Sequence, residues 1–242
     1  MNLVIPPSIG DAPIGGKARA LAQAAGDGLP VPPWFVVPPG AEPGGRELAE
    51  ALARIGTGPY AVRSSAAAED GVAHSFAGQF DSFLEVPADR VTDRIADVRA
   101  SAHSPRLTEY RREHGLPDPG EPAVLVQQMV DAASAGVAFS ADPVSGRREA
   151  CVISAVEGTG EKLVSGEVDG EVWRTGPEGI EEAPEKPIVS RGQAEEVSAL
   201  ARRCEAHFGR PQDIEWAFDQ EGTLWLLQSR PITTLEPVSY TH

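Results

Sequence analysis

Apolar and polar residues alternate most clearly near the C-terminal end, in DIEWAFDQEGTLWLLQSRPIT, residues 213–233. Two runs rich in β-prone residues flank Asp-Gln-Glu-Gly, which predicts a hairpin around a four-residue turn at 219–222. Side chains alternate faces along a strand. Ile214, Trp216 and Phe218 then point one way, and Asp213, Glu215 and Ala217 the other. On the second strand Trp225 and Leu227 share one face, while Leu226, Gln228 and Arg230 share the opposite one. Pairing around that turn puts Glu215, Gln228 and Arg230 on the same side of the sheet. An acid, an amide and a guanidinium thus converge beside an otherwise apolar hairpin.

The same reading, carried along the chain, predicts further strands at 61–66 (AVRSSA), 75–86 (SFAGQFDSFLEV), 123–130 (AVLVQQMV), 136–146 (GVAFSADPVSG, running into a turn) and 150–158 (ACVISAVEG). KARALAQAAG after Gly16 predicts a helix, and residues 91–113 predict two helices split at Pro105. Ser190 with Gln193 three residues on has the form of a capping box. Val197, Leu200, Cys204 and Phe208 follow at helical spacing, so an amphipathic helix runs up to Gly209 and Pro211. Pro- and Gly-rich stretches at 36–45, 115–122 and 176–187 read as connectors. The fold class is α+β with largely antiparallel sheet, not a doubly wound nucleotide-binding domain.

Composition narrows the partners more than the fold. The chain has 242 residues, 41% hydrophobic and 24% charged, enough for one large domain or two lobes. A formal charge of −15 argues against nucleic acid or an acidic membrane surface as partner. Cys151 and Cys204, the only cysteines, have no metal-ligand spacing, and the five histidines are scattered. The N-terminus lacks a basic stretch followed by an apolar one, and no apolar run approaches the ~20 residues of a bilayer span. A cytoplasmic, reduced protein is the expectation.

Against so acidic a background, a few positive and polar residues become candidates. Gly15-Gly16-Lys17 offers backbone amides and a point charge to an anion, although a Gly-Gly-Lys before a helix is more often a plain structural feature. Arg63-Ser64-Ser65 at a strand end offers a guanidinium fork and two hydroxyls, or a surface ion pair. The strand ending Gln127-Gln128-Met129-Val130 reads as plain core, or as an edge for a flat heterocycle packed on Met129 and Val130. Glu157 and Glu161 flank a flexible loop. Glu215, Gln228 and Arg230 make the best single site: two oxygen donors suit Mg²⁺ shared with phosphates, which Arg230 would hold.

Five segments carry a resemblance to a known family, in its order: GGKARALAQAAGDGLPVPPWFVV, AVRSSAAAEDGVAHSFAGQFDSFLEV, VLVQQMVDAASAGVAFSADPVSG, EGTGEKLVSGEV and HFGRPQDIEWAFDQEGTLWLLQSRPIT. The chain resembles the PEP/pyruvate-binding, ATP-grasp domain of phosphoenolpyruvate synthase, pyruvate phosphate dikinase and rifampin phosphotransferase. The resemblance implies two lobes with an ATP cleft between them: 1–120 as a shortened N-terminal lobe, 121–235 as the C-terminal lobe with hinge and metal site, and 236–242 as a tail. It implies ATP and Mg²⁺ as cofactors. Lys17, Arg63 and Arg230 become phosphate contacts and the catalytic set, Gly78 and Gln79 part of a loop over the phosphates, Gln127, Met129 and Val130 the adenine hinge, and Glu215 and Gln228 the metal ligands. Glu161 and Ser165 lie in a family motif without an assigned role.

Members of that family pass phosphate from ATP to a histidine on a swivelling domain that follows the QSRP region. None of His74, His103, His114, His207 and His242 has the setting of such a carrier. The resemblance therefore implies a phosphotransferase module serving a carrier histidine on a separate domain or protein. The alternatives are a stand-alone, ADP-forming small-molecule kinase and a non-catalytic nucleotide-binding regulator. Arg230→Ala is expected to cripple turnover and leave the fold intact, and Glu215→Gln to weaken Mg²⁺ dependence.

Overall fold

The computed structural model describes residues 3–6, 9–66, 82–114, 120–233 and 235. The chain forms two compact units, Met1–Gly26 with Pro32–Met129, and Asp27–Val31 with Val130–His242. The division falls after Met129, past the 120/121 boundary expected from sequence. The reason is pairing: the apolar strand at 123–128 lies between two strands of the first unit. Gly78, Gln79, His74 and the tail 236–242 lie outside the described residues, as does most of the strand expected at 75–86.

The sheet of the first unit runs β1 (Trp34–Val37), β4 (Ala123–Gln128), β2 (Tyr60–Ser65), β3 (Ser82–Val86), with every neighbouring pair antiparallel. Valines dominate its middle, as β-branched residues favour a pleated, buried surface. Phe35, Val37, Val62, Val124 and Val126 face a core completed by Leu48, Leu52 and Ile55 of α2 (Gly45–Ile55) and Ile95 and Val98 of α3 (Val91–Ser101). Sequence patterning did not single out α2, which opens directly after a connector. Pro105 opens α4 (Pro105–His114) at a position where its missing N–H costs nothing, and the Leu107 amide donates to Ser104 Oγ at 3.4 Å.

The second unit is a six-stranded antiparallel sheet in the order β10 (Leu224–Pro231), β9 (Gln212–Asp219), β5 (Ala132–Phe139), β6 (Cys151–Glu157), β7 (Glu171–Gly176), β8 (Gly179–Glu182). Strand β8 falls inside the stretch 176–187 that reads as a connector, because its glycine-rich, acidic sequence carries no apolar alternation. A short helix, α5 (Glu161–Val164), follows β6. The long helix α6 (Arg191–Phe208) starts in the expected capping box, with Ser190 Oγ accepting from the Gln193 amide. It stops at Gly209 in the left-handed region, φ 68°.

Ala194, Val197, Leu200, Ala201 and Cys204 of α6 are buried, as are Ile153, Ile214, Trp216 and Leu226 on the sheet. Beneath the helix Thr175 and Ser198 hydroxyls meet at 2.7 Å. Ser229 Oγ donates to Gln212 Oε1 at 2.9 Å, and the Gln212 amide donates to Ser140 Oγ at 2.8 Å. These buried polar contacts tie the ends of β9 and β10 to β5 from the helix side.

Both cysteines are free and buried, and burial pushes each thiol up to about 11 from an ordinary 9.0. The folded chain then holds these protons more tightly than the unfolded one. Their contribution is complete below pH 9 and is lost as pH rises through 11. Thermal melts between those limits should fall more steeply for the wild type than for a Cys151→Ala/Cys204→Ala variant. Iodoacetamide at pH 8 should label neither thiol until urea is added. Rapid labelling of the folded protein would contradict the burial.

Candidate functional site

Strands β9 and β10 pair as Leu224 with Phe218, Trp225 with Ala217 and Leu226 with Trp216, then as Gln228 with Glu215, Ser229 with Ile214 and Arg230 with Asp213. The register shifts by one residue between Leu226 and Gln228, so Leu227 is a β-bulge. Opposed residues of an antiparallel pair share a face. Leu226 therefore lies with Trp216 toward the core beneath α6, whereas Gln228 and Arg230 turn to the other side with Glu215 and Asp213. Without the bulge, Gln228 would oppose Ile214 on the helix side.

The structure therefore brings Glu215, Gln228 and Arg230 to one face by a different route from the one expected. The hairpin loop is one residue longer than the turn read at 219–222: the Asp219 amide donates to the Thr223 carbonyl at 3.0 Å. Asp219 Oδ1 accepts from the Glu221 and Thr223 amides, and Oδ2 from Trp225 Nε1. That offset alone would separate Gln228 from Glu215. The bulge is a second one-residue offset and restores them. Leu226, expected beside Gln228, is the residue that ends up on the opposite face.

Asp213 joins the trio. Its side chain is 9% exposed, and its Oδ2 accepts from Arg230 Nη2 at 2.7 Å and Nε at 2.8 Å. Burial pushes the Asp213 carboxyl up from its ordinary value, Arg230 pulls it down, and nearby Glu215 adds to the rise. Alternation along β9 already placed Asp213 beside Glu215, and that was the available signal. The pairing also corrects the expectation that losing Arg230 spares the fold, because it braces a buried acid.

Beyond Asp213, β5 and β6 add mainly apolar residues to this face, and Arg174 with Glu182 lies farther along it on β7 and β8. Phe139 and Val137 lie opposite Asp213 and Glu215 on β5, followed by Val152 and Ser154 on β6, all only partly buried. Glu215 and Gln228 are two oxygen donors at a directly opposed cross-strand position. Among the described residues, no group of three or more His, Cys, Asp or Glu is arranged to hold a metal ion.

In the first unit, Lys17 occupies the first turn of α1 (Gly15–Gly26) and is half-buried. The start of that helix is seated on the end of β2. Ser65 Oγ donates to the Ile14 carbonyl at 2.7 Å and accepts from the Ala18 amide at 3.0 Å, and the Gly16 amide donates to the Ala66 carbonyl at 3.3 Å. Ser65 thereby satisfies one of the orphan amides that every helix leaves at its first turn. Arg63, two residues earlier on β2, shares its face with Ser65 and, through the pairing of Ala61 with Gln127, with Gln127. The Gly-Gly-Lys and Arg-Ser-Ser motifs, distant in sequence, are thus one local structure.

Gln127 is buried, and its Nε2 reaches the Pro32 carbonyl at 3.4 Å. The Gln128 amide donates to the Pro33 carbonyl at 2.9 Å and the Met129 amide to the Pro59 carbonyl at 3.0 Å. Met129 and Val130 are half-exposed, and the division of the chain falls between them. Glu161 opens α5, and Ser165 Oγ bonds the Lys162 carbonyl and Glu167. His207 contacts Asp27 through Nδ1, and His103 is exposed. Among the described residues no helix is long and apolar enough to cross a membrane.

The chain matches the family described as "Pyruvate phosphate dikinase, AMP/ATP-binding domain" over residues 45–178 and 173–240. It is 41% identical over 217 residues to a rifampicin phosphotransferase of a Streptomyces species, covering 78% of this chain and 25% of that protein. It is 36% identical over 218 residues to a probable phosphoenolpyruvate synthase of Pyrococcus horikoshii, covering 73% of this chain and 26% of that one. The chain thus spans about a quarter of the length of these relatives. The solved D-alanine-D-alanine ligase of Coxiella burnetii superposes with a TM-score of 0.51 at 10% identity, over 90% of this chain and 48% of that one. At that identity the likeness speaks for the fold alone, an α+β fold of the ATP-grasp type. Fold and sequence agree, and the chain belongs to the pyruvate phosphate dikinase AMP/ATP-binding domain family.

Proposed function

We propose that the chain binds Mg·ATP and is the phosphoryl-donating module of an ATP-dependent phosphotransferase, handing phosphate to a carrier histidine on a separate domain or protein. The carrying observation is the bulged hairpin, which sets a carboxylate, an amide oxygen and a guanidinium on one face. Mg²⁺ keeps several waters and takes one or two carboxylates together with substrate phosphates, and an incomplete protein shell such as Glu215 with Gln228 fits that habit. When bound, the ion would draw charge off the phosphate oxygens and so favour attack of a nucleophile at phosphorus.

The chain's own residues bind and orient. Arg230, held by Asp213, presents a fixed fork to phosphate oxygens. Lys17 and Arg63 are proposed as phosphate contacts, with Lys17 at a helix start where amides and dipole favour an anion. Gln127, Met129 and Val130 are assigned to the base. The amides of Gln128 and Met129 already serve proline carbonyls, so side-chain surface and carbonyl oxygen are what this stretch offers a heterocycle. Positioning and neutralisation of charge carry phosphoryl transfer in general, and the residues here supply both.

The test incubates the pure chain with ATP and Mg²⁺, with and without a candidate carrier domain. AMP and inorganic phosphate formed only with the carrier, whose histidine keeps the β-phosphate, is the expected result. ADP formed with a small acceptor alone would overturn the carrier histidine, and failure to bind Mg·ATP would overturn the whole reading. Glu215→Gln replaces a charged ligand with a neutral one, and should raise the Mg²⁺ midpoint by about tenfold, roughly 1.4 kcal/mol. An unchanged titration would remove Glu215 from the metal.

A further inference from the structure

The chain visits the second unit briefly before building most of the first. Residues Asp27–Val31, between α1 and β1, pack with the second unit, and the chain then returns for Pro32–Met129. Four anchors hold this crossing. Asp27 pairs with His207 at the end of α6, and Arg203 Nη2, one turn earlier, lies 3.4 Å from the Gly28 carbonyl. Leu29 is buried, 6% exposed. The Pro30 carbonyl accepts from the Leu226 amide at 2.7 Å.

The last anchor is placed where it matters for the site. Strand β10 lies at the edge of its sheet, so the outer edge of Leu226 has no further strand to bond. Leu226 is also the last residue before the register shift that turns Gln228 and Arg230 toward Glu215. A bulge disrupts the ladder locally, bends the strand and can re-aim a side chain, so the contacts that hold the strand on either side of it bear on where the following residues point. Below the bulge, the grip is Ser229 on Gln212 and Arg230 on Asp213. Above it, on the outer edge, the grip is Pro30.

We propose that the Asp27–Val31 crossing is a positioning element for the metal and phosphate face: by holding Leu226 it fixes the bulge at Leu227, and His207 with Asp27 is its clasp. The proposal rests on the Mg·ATP reading for its functional consequence, but its geometric part stands apart from any ligand. Anything that loosens the crossing should let β10 slip locally and turn Gln228 and Arg230 away from Glu215, with no site residue changed.

Amide hydrogen exchange, read by NMR on the full chain without nucleotide, tests the geometry. Leu29→Ala removes a buried anchor and should speed exchange at 226–230 by about tenfold or more, and Leu29→Met should restore protection. Asp27→Asn and His207→Ala loosen a partly exposed pair and should each give about a two- to fivefold increase in the same segment. Amides of β5 and β6 should keep wild-type rates. Unchanged exchange at 226–230 in all variants, or equal acceleration across β5 and β6, overturns the proposal.

Isothermal titration with Mg·ATP then supplies the functional arm. Weaker binding in Leu29→Ala, recovered in Leu29→Met, supports positioning. Unchanged affinity beside accelerated exchange overturns it. If the wild type itself fails to bind Mg·ATP while 226–230 respond selectively, the nucleotide reading falls and the geometric link between crossing and bulge is upheld.

Discussion

An Arg230→Ala variant is expected to lose phosphoryl-transfer turnover by about 10²–10³-fold, the range seen when a donor to developing negative charge is removed. It should also lose stability, by about 1–3 kcal/mol, because a buried acceptor loses its partner. Both effects trace to Asp213, which gives the guanidinium its orientation and depends on it for compensation. The pH dependence separates the two. Asp213 is held above its ordinary value when folded, so its ionisation costs stability as pH rises from the ordinary carboxylate range through that raised value. Without Arg230 the opposing pull disappears and the loss on going from acid to neutral pH becomes larger. Asp213→Asn combined with Arg230→Ala should recover stability and leave turnover low. Wild-type turnover in the single variant would remove Arg230 from the phosphate, and a wild-type melting temperature would refute the brace.

Gly15→Ala should be among the most damaging single substitutions in the first unit. Gly15 has φ +73°, and a Cβ there would lie 1.6 Å from the Ser65 carbonyl oxygen and 2.6 Å from Ser65 Oγ. A left-handed non-glycine residue costs about 1–3 kcal/mol, and forced overlap adds about 1–3 kcal/mol. Because the neighbour is backbone, α1 must lift off the end of β2. That breaks the hydrogen bonds through Ser65 and displaces Lys17 from Arg63's strand. Urea melts should show the loss, and nucleotide binding should fall with it. Gly26→Ala is the control, since a Cβ at Gly26 meets nothing within 4 Å. Equal stability of both variants would contradict the close approach.

What could be read from sequence was local. The capping box and apolar stripe of α6 lie within one helix, and Pro105 marks the start of α4 by its own chemistry. The polar face of β9 and β10 was read correctly because two errors of one residue cancelled, one in the loop and one in the strand. Neither had a local signal: Leu227 is an ordinary strand residue, and only its distant partners make it a bulge. Asp213 was placed on the right face, but its burial against Arg230 depends on β5 covering it. The need for glycine at 15 is set by Ser65, fifty residues away in sequence. Helix α2 and strand β8 were hidden by glycines and prolines at their borders, and the crossing at 27–31 by its brevity.

The bulge at Leu227 works as a parity inverter. Every residue from Gln228 onward faces the side that its count from the turn would forbid. A single deletion at 227 would leave Glu215, Gln228 and Arg230 all present in the written sequence, yet send Gln228 and Arg230 under α6. For this fold, a motif that matches letter by letter is only as informative as the number of residues between its halves, taken as odd or even.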